Sequence, residues 1–409
     1  MGAFWHPFSD MGAVERAGDF VITRGEGVHV WDDQGRRYLD ATAGLWFTNV
    51  GHGRRELADA AAAQMARLAH YSTFGDYTPD VTLELAERLA GIAPVPGSKV
   101  FFTSGGSDSV ETAAKIARRY WVETGQPSRR IIIGRDKAYH GMHYAGTSLG
   151  GIPGNTQGYG ELIADQAHVA WDDPEDLRST IEGLGAENVA AFFCEPVMGA
   201  GGVYPPPADY LMEVRKICTE SEVLFVADEV VTGFGRIGGS WFASTRFGLE
   251  PDFVTTAKGL TSGYLPMGAV LVAPKVAAPF FEPDAGRWLR HGYTYSGHAA
   301  AAAVALANLD LIEREGLIDE ALRLQDSLAA RLSPLDVHES VSEVRCGTGA
   351  LAAVQLNDAS AAAGLATALR GHGIATRAVG AGGIQISPAF TMTDAQVDEL
   401  ASAIEAALG

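Results

Sequence analysis

The sequence predicts an α/β protein: a large domain whose mostly parallel sheet is flanked by helices, plus a smaller α+β domain. Three observations carry this. From residue 80 to about 315, short β-branched apolar runs alternate with longer amphipathic stretches, the pattern of strands joined by crossover helices. After about 315 the texture changes to Ala-rich helices mixed with short strands. A length of 409 residues is also more than one core usually organises.

In chain order, residues 1–20 form an aromatic, irregular arm containing Phe4, Trp5, His6, Pro7 and Phe8, and its composition suits a lid over apolar surface. Residues 20–40 read as a small antiparallel unit, with Val28–Trp31 and Arg37–Leu39 alternating around the turn Asp32-Asp-Gln-Gly35. A helix follows at about 54–69. Helices are predicted near 80–91, 108–123, 175–184, 208–220 and 299–315, and strands near 99–103, 130–135, 189–194, 222–227, 252–257 and 267–273. Helices at 317–332, 359–371 and 394–408 then enclose short strands at 349–355 and 383–386. The expected division is an N-terminal arm and antiparallel unit over 1–45 that joins the small domain, a large domain over 46–315, and a small C-terminal domain over 316–409.

Composition narrows the function. Apolar residues make up 47% and charged residues 20%, as in ordinary globular chains. A formal charge of −19 argues against nucleic acid or an anionic membrane as partner. The three cysteines, Cys194, Cys218 and Cys346, are far apart and read as buried thiols in a reducing compartment. The opening residues lack the basic and apolar blocks of a secretory leader, so the expectation is a cytoplasmic protein. The most apolar helix, from Ala299 to Ile312, is too short to span a bilayer.

The chemistry concentrates in residues 222–259. One buried strand ends in Asp228-Glu229, and a second, Phe253-Val-Thr-Thr-Ala, ends in Lys258. Ligands of open α/β sheets sit outside the carboxyl ends of the strands, so the acid and the amine can face one pocket. A lysine amine forms a Schiff base with an aldehyde, and an aspartate holds a protonated pyridine nitrogen; together they are the two protein handles on pyridoxal 5′-phosphate (PLP). A carboxylate about 4 Å from a pyridinium gains about 4 kcal/mol at an effective dielectric near 20, enough to keep the nitrogen charged near neutral pH. Of the six lysines only Lys258 caps an apolar strand, and Gly259 beside it is expected to let the backbone turn sharply.

Other strand ends add to the pocket. Ser104-Gly105-Gly106-Ser107 precedes a helix and is predicted to cradle a phosphate through the backbone at Gly106 and Ser107, with Ser107 as N-cap. Tyr139 follows the strand at 130–135 and can stack on a planar ring. Glu195 ends the strand at 189–194; with Asp228 it could equally bind a metal. Gly233-Phe-Gly235-Arg-Ile-Gly238 fits a dinucleotide-binding pattern, but Gly239-Ser-Trp-Phe does not open a helix, so this reading is rejected.

The order Asp228-Glu-Val-Val-Thr-Gly-Phe-Gly-Arg236 and then Lys258 closely resembles the class III aminotransferases, and the resemblance covers nearly the whole chain. It implies a fold type I PLP enzyme. It also implies that Tyr139 and Val230 cover opposite faces of the pyridine ring and that Glu195 lies near the Asp228 hydrogen-bonding group. His140 is placed with the cofactor-binding residues; His140, His143, His291 and His298 read as packed or supporting side chains, not zinc ligands. Thr294, in His291-Gly-Tyr-Thr-Tyr-Ser-Gly-His298, matches the family threonine that binds the neighbouring subunit's cofactor phosphate, which implies a homodimer with shared active sites, or a dimer of such dimers. The chain departs from the family at Gly105 and Asp108, where the pattern has Ser and Glu, and at Ala299, where it usually has Pro.

On the substrate side, Phe8, Leu45, Trp46 and Tyr139 make an apolar pocket, and Arg377 stands where ω-amine and β-alanine transaminases carry a mobile carboxylate-binding arginine. The branch most resembled is the ω-amino acid (β-alanine):pyruvate type. The implied activity is transfer of an amino group from an ω-amine or a β-/ω-amino acid to a keto acid, pyruvate, through a Schiff base on Lys258. Two alternatives stay open: a PLP-dependent decarboxylase or aminomutase on the same scaffold, and a catalytically silent PLP-binding protein.

Overall fold

The computed structural model describes residues 2–409; Met1, the first residue of the arm, lies outside them. Its centre is a seven-stranded sheet in the order Lys99–Thr103, Gly268–Val272, Phe253–Thr256, Leu224–Asp228, Val189–Cys194, Ile131–Arg135, Gln166–Val169. Neighbours are parallel except where Gly268–Val272 pairs antiparallel with both of its partners. The connection 257–267 holds only one short helical turn, so the chain has no crossover helix and returns in the opposite direction.

The central strands are apolar throughout because both faces are covered. Phe193, Leu224, Val226 and Phe253 pack under the long helix Gly106–Glu123. Phe192, Phe225 and Ala227 face the helices Pro174–Leu184 and Tyr210–Glu220. On the same side, nearer the other edge, Val254, Ala269 and Leu271 pack on Asp80–Ile92 and Ala299–Arg314. Every position of Val189–Cys194 is buried, which is why its sequence shows no alternation. The edge strand Gln166–Val169 is absent from the sequence prediction; its Gln-Ala-His-Val run is half-exposed and lacks the apolar continuity of its neighbours.

Two four-stranded sheets complete the molecule. One runs Val341–Arg345, Ala352–Leu356, Gly383–Ile386, Ala378–Val379, all antiparallel. The other joins Ile22–Glu26, His29–Asp32 and Arg37–Asp40 to Ile374–Ala375, so the N-terminal unit shares a sheet with the C-terminal region. The arm is not irregular throughout: Met11–Ala17 is a helix whose first N–H groups are capped by the Asp10 carboxylate. The strand expected at 349–355 lies at Ala352–Leu356, and its partner Val341–Arg345, too polar to read as a strand, went unpredicted. Cys194 and Cys218 are buried, whereas Cys346 is only half-buried. Among the described residues no helix is long and apolar enough to cross a membrane.

The loop 233–238 opens no helix. Its Arg236 is fully buried and donates to Asn49 Oδ1 (2.5 Å) and to the carbonyls of Ala350 (3.3 Å) and Pro388 (2.5 Å). That arginine ties the loop after the strand Leu224–Asp228 to residue 49 on one side and to residues 350 and 388 on the other, so this glycine-rich stretch is a structural clasp.

Candidate active site

The carboxyl ends of the sheet strands open into a cavity of about 390 Å³. Phe8, Leu45, Trp46, Gly106, Ser107, Tyr139, His140, Glu195, Asp228, Val230, Lys258 and Arg377 all line it. Asp228 and Lys258 therefore face one space, as their places at adjacent strand ends predict. Thr294 does not line it; it lies exposed in the segment 291–298.

Asp228 is the last residue of its strand and is 4% exposed. Its Oδ2 meets His140 Nδ1 at 2.7 Å. Its Oδ1 accepts from Thr255 Oγ1 at 2.9 Å and from the Val230 N–H at 3.2 Å. The carboxylate is thus held from three sides, and its orientation is fixed before any ligand arrives. His140 Nε2 is buried without a protein partner, a polar atom left for a bound group.

Glu195 is differently committed. Its Oε1 accepts from the Tyr139 N–H (3.0 Å) and its Oε2 from the Gly199 N–H (2.9 Å). It fixes the backbone from which Tyr139 projects. Burial pushes its carboxyl up, and nearby His140 partly offsets this. Among the described residues no group of three His, Cys, Asp or Glu could hold a metal ion.

Lys258 is enclosed at the cavity floor. Burial pushes its amine down to about 8, while Asp228 and Glu195 pull the other way and Arg377 adds to the depression. A partly neutral amine at physiological pH is what nucleophilic and proton-transfer chemistry needs. The backbone reason for Gly259 differs from the sequence expectation. The left-handed residue is Lys258 itself, at φ 43°. Gly259 has ordinary backbone, but a Cβ there would stand 2.6 Å from Asn49 Nδ2. The glycine is required by packing, and the strain sits on the lysine.

The turn before the helix Gly106–Glu123 also differs in detail. Gly105 is its N-cap residue, and Ser107 lies in the first turn, not at the cap. Ser107 Oγ accepts from the Met142 N–H at 3.2 Å, which ties this turn to the loop behind Tyr139. A Cβ on Gly106 would sit 2.8 Å from Val230 Cγ1. Gly106 therefore lets the helix start approach the valine that lines the cavity, and the helix N-terminus presents its free N–H groups there.

The outer wall is looser. Phe8 is largely exposed and meets Tyr139 edge-on, with centroids 6.3 Å apart. Leu45 is half-exposed and Trp46 buried. Arg377 is an exposed residue at the cavity mouth, and its Nε donates to Gln385 Oε1 at 2.6 Å. Partial desolvation at the cavity wall still lowers its guanidinium, with Tyr139 opposing. Sequence reasoning missed Ile152 and Asn155, which also line the cavity, and Thr255, Asn49 and Gln385, which set its side chains. Only Thr255 had a signal, being one of the two threonines that close the strand Phe253–Thr256.

The family model Aminotransferase class-III matches residues 12–408. The chain is a class III aminotransferase. It is 40% identical to a putrescine–pyruvate aminotransferase of Pseudomonas aeruginosa, over 96% of this chain and 91% of the relative. A β-alanine–pyruvate aminotransferase of the same organism is 36% identical over 84% and 81% of the two chains. Among solved structures, an (S)-enantioselective ω-transaminase from Thermomicrobium roseum superimposes with a TM-score of 0.94 at 40% identity, over 98% of this chain and 95% of that one. The ω-transaminase of Pseudomonas jessenii in complex with PMP gives 0.94 at 34% identity, over 99% and 95%. The aminotransferase has the fold type I architecture and uses PLP. Its cavity fits that cofactor: a fixed carboxylate, an unpartnered imidazole nitrogen, an enclosed amine and a helix N-terminus surround one space.

Proposed function

We propose that this aminotransferase moves an amino group from an ω-amine or a β-/ω-amino acid to pyruvate, with Lys258 as the attachment point of PLP. The observation that carries the reading is a single cavity offering Lys258 and Asp228 at its floor and Arg377 at its outer wall. The two curated relatives named above, acting with putrescine and β-alanine, support the same substrate range.

When bound, PLP supplies an aldehyde that combines with amines and a ring that accepts electrons. Asp228 would hold the proton on the ring nitrogen, and His140 and Thr255 keep its carboxylate in place. Tyr139 and Val230 line the space the ring would take, and the helix start at Gly106 and Ser107 would bind the phosphate. Lys258 Nζ would take the proton from the donor's amine-bearing carbon and give it to the carbon that carried the cofactor's aldehyde, and its lowered pKa suits both directions. Arg377 pairs with the carboxylate of the keto acid, while Phe8, Leu45 and Trp46 receive the apolar part of the donor. Thr294, exposed away from its own cavity, contributes to the phosphate site of a second copy in a homodimer. We assign the enzyme to the cytoplasm.

The test is a pair of half-reactions. Putrescine or β-alanine should bleach the absorbance band of the lysine-attached cofactor, and pyruvate should restore it with release of alanine. Carbon dioxide release matched to donor consumption, without need of a keto acid, would favour a decarboxylase. A coloured protein whose band responds to no amine would favour the silent binding protein.

A further inference from the structure

We propose that Gln385 is a positioning residue for acceptor specificity: it holds Arg377 with its guanidinium fork directed to the cavity, ready for a carboxylate. This rests on the reading of Arg377 as the acceptor clamp.

Two contacts join Gln385 to Arg377, and a third joins it to the neighbouring Thr376. The Gln385 N–H donates to the Arg377 carbonyl at 3.0 Å. The Gln385 carbonyl accepts from Thr376 Oγ1 at 2.6 Å. The Gln385 side-chain oxygen accepts from Arg377 Nε at 2.6 Å. Backbone and side chain of the arginine are therefore set from one residue of the strand Gly383–Ile386.

The amide cannot turn round. Gln385 Nε2 donates to Ser387 Oγ (2.8 Å), and Ser387 Oγ donates to the Thr42 carbonyl (3.2 Å). At one end of this chain the carbonyl can only accept; at the other, the guanidinium can only donate. The direction of every bond between them is thereby fixed, and the Gln385 oxygen must face Arg377. Gln385 and Ser387 are fully buried, so neither has water as an alternative partner.

Two consequences follow for binding. The anchor takes Nε and leaves the two terminal nitrogens, the pair that meets a carboxylate side by side. The anchor is also neutral, and among the described residues Arg377 forms no ion pair with a carboxylate, so its charge is not spent inside the protein. If Arg377 swings out for an apolar donor, the Gln385 oxygen loses its protein partner. Gln385 thus favours the inward arrangement and couples it, through Ser387 and Thr42, to the segment carrying Leu45 and Trp46.

The experiment uses the holoenzyme with pyruvate and with butanal, an acceptor lacking the carboxylate, and with propionate as an unreactive inhibitor. Arg377→Ala should lower the pyruvate-to-butanal ratio of kcat/KM by about a hundredfold. Gln385→Leu should lower it by about tenfold, mostly through the KM for pyruvate, with the propionate inhibition constant rising by a similar factor. Gln385→Glu should also lower it, because its carboxylate occupies the guanidinium. If Arg377→Ala damages the ratio while Gln385→Leu leaves it within about twofold, the positioning role is wrong and the clamp stands. If Arg377→Ala itself leaves the ratio unchanged, the clamp reading is wrong. Should Gln385→Leu fail to fold, Ser387→Ala, which frees the amide to turn, must lower the ratio and raise the propionate constant; no change in either overturns the proposal.

Discussion

The floor and the rim of the cavity are built on opposite principles. At the floor, Asp228, Glu195, His140 and Thr255 are almost completely buried, and each carboxylate oxygen has a named partner. At the rim, Phe8 is 69% and Leu45 42% exposed, and neither has a side-chain hydrogen bond to fix it. The floor residues stand on or just after strands of one sheet, whose spacing is set by backbone pairing. The rim residues come from the N-terminal arm and from loops. On the proposed reading, reacting groups thus sit on the rigid part and substrate-selecting groups on the adjustable part. Arg377 lies between the two, a rim residue tied by a single buried chain.

This contrast can be broken at the floor first. Lys258→Ala should reduce turnover by about 10⁴-fold or more, since on the proposed reading it removes the base and the cofactor's attachment together. Stopped turnover and loss of the lysine-attached absorbance band should coincide; near-normal turnover in this variant would end the account. Asp228→Asn keeps the shape but removes the charge. The Coulomb gain of about 4 kcal/mol then disappears, for a loss of about 10³ in kcat/KM. Quantitative cofactor binding with full activity in Asp228→Asn would show that the ring nitrogen does not depend on this carboxylate.

The next effect is on stability and carries a sign. In the apo-protein below pH 8, Lys258 is protonated in both the folded and unfolded chains, and the folded chain bears the burial cost. Between about 8 and its ordinary 10.5, only the unfolded chain still holds the proton, so stability rises with pH across that window. Above it the cost is gone. Lys258→Met lacks this titration, so below pH 8 it should be more stable than the parent by on the order of 3 kcal/mol. Urea unfolding of both apo-proteins from pH 7 to 10.5 measures the difference; a gap that does not narrow with rising pH would show that the lysine is not enclosed as described.

How much of this the sequence discloses follows the same floor-and-rim division. Asp228 and Lys258 are legible because each ends an apolar run abruptly, and strand ends carry ligand sites. The residues that orient them are less so. Thr255 meets Asp228 only through the register of two strands distant in sequence, and Gln385 reaches Arg377 across a strand turn. Glycines show the limit most clearly. Sequence marks Gly106 and Gly259 as special, but the reason at each is a side chain from elsewhere, Val230 at one and Asn49 at the other. Local sequence cannot supply a neighbour that only folding brings.

Gly106 gives a smaller test of the floor. In Gly106→Ala the new methyl meets Val230 Cγ1 at 2.8 Å, inside ordinary contact, so either the helix start or the valine must shift. Overpacking of this kind costs about 1–3 kcal/mol. Its effect should appear as about tenfold weaker PLP binding with little change in the acceptor's KM. Val230→Ala removes the obstructing methyl groups along with its own contact to the ring, so adding Gly106→Ala to that variant should cost little further affinity. A further loss of about tenfold in the pair, relative to Val230→Ala alone, would mean that Gly106 serves the phosphate directly, not the fit of helix to valine.

The smallest effect belongs to the rim. Phe8→Ala removes an edge-on contact with Tyr139, worth about 0.5–1.5 kcal/mol, from a largely exposed ring. The expected change is about threefold to tenfold in the KM of aryl or long-chain amines, and less for putrescine, which is too short to need the ring. The same substitution should leave the cofactor's absorbance band and the unfolding midpoint unchanged, because no hydrogen bond fixes the Phe8 side chain and nothing buried is uncovered. If Phe8→Ala instead weakens the cofactor as Gly106→Ala does, the arm is a lid on the floor itself, and the separation of chemistry from selection drawn above would have to move inward to Tyr139.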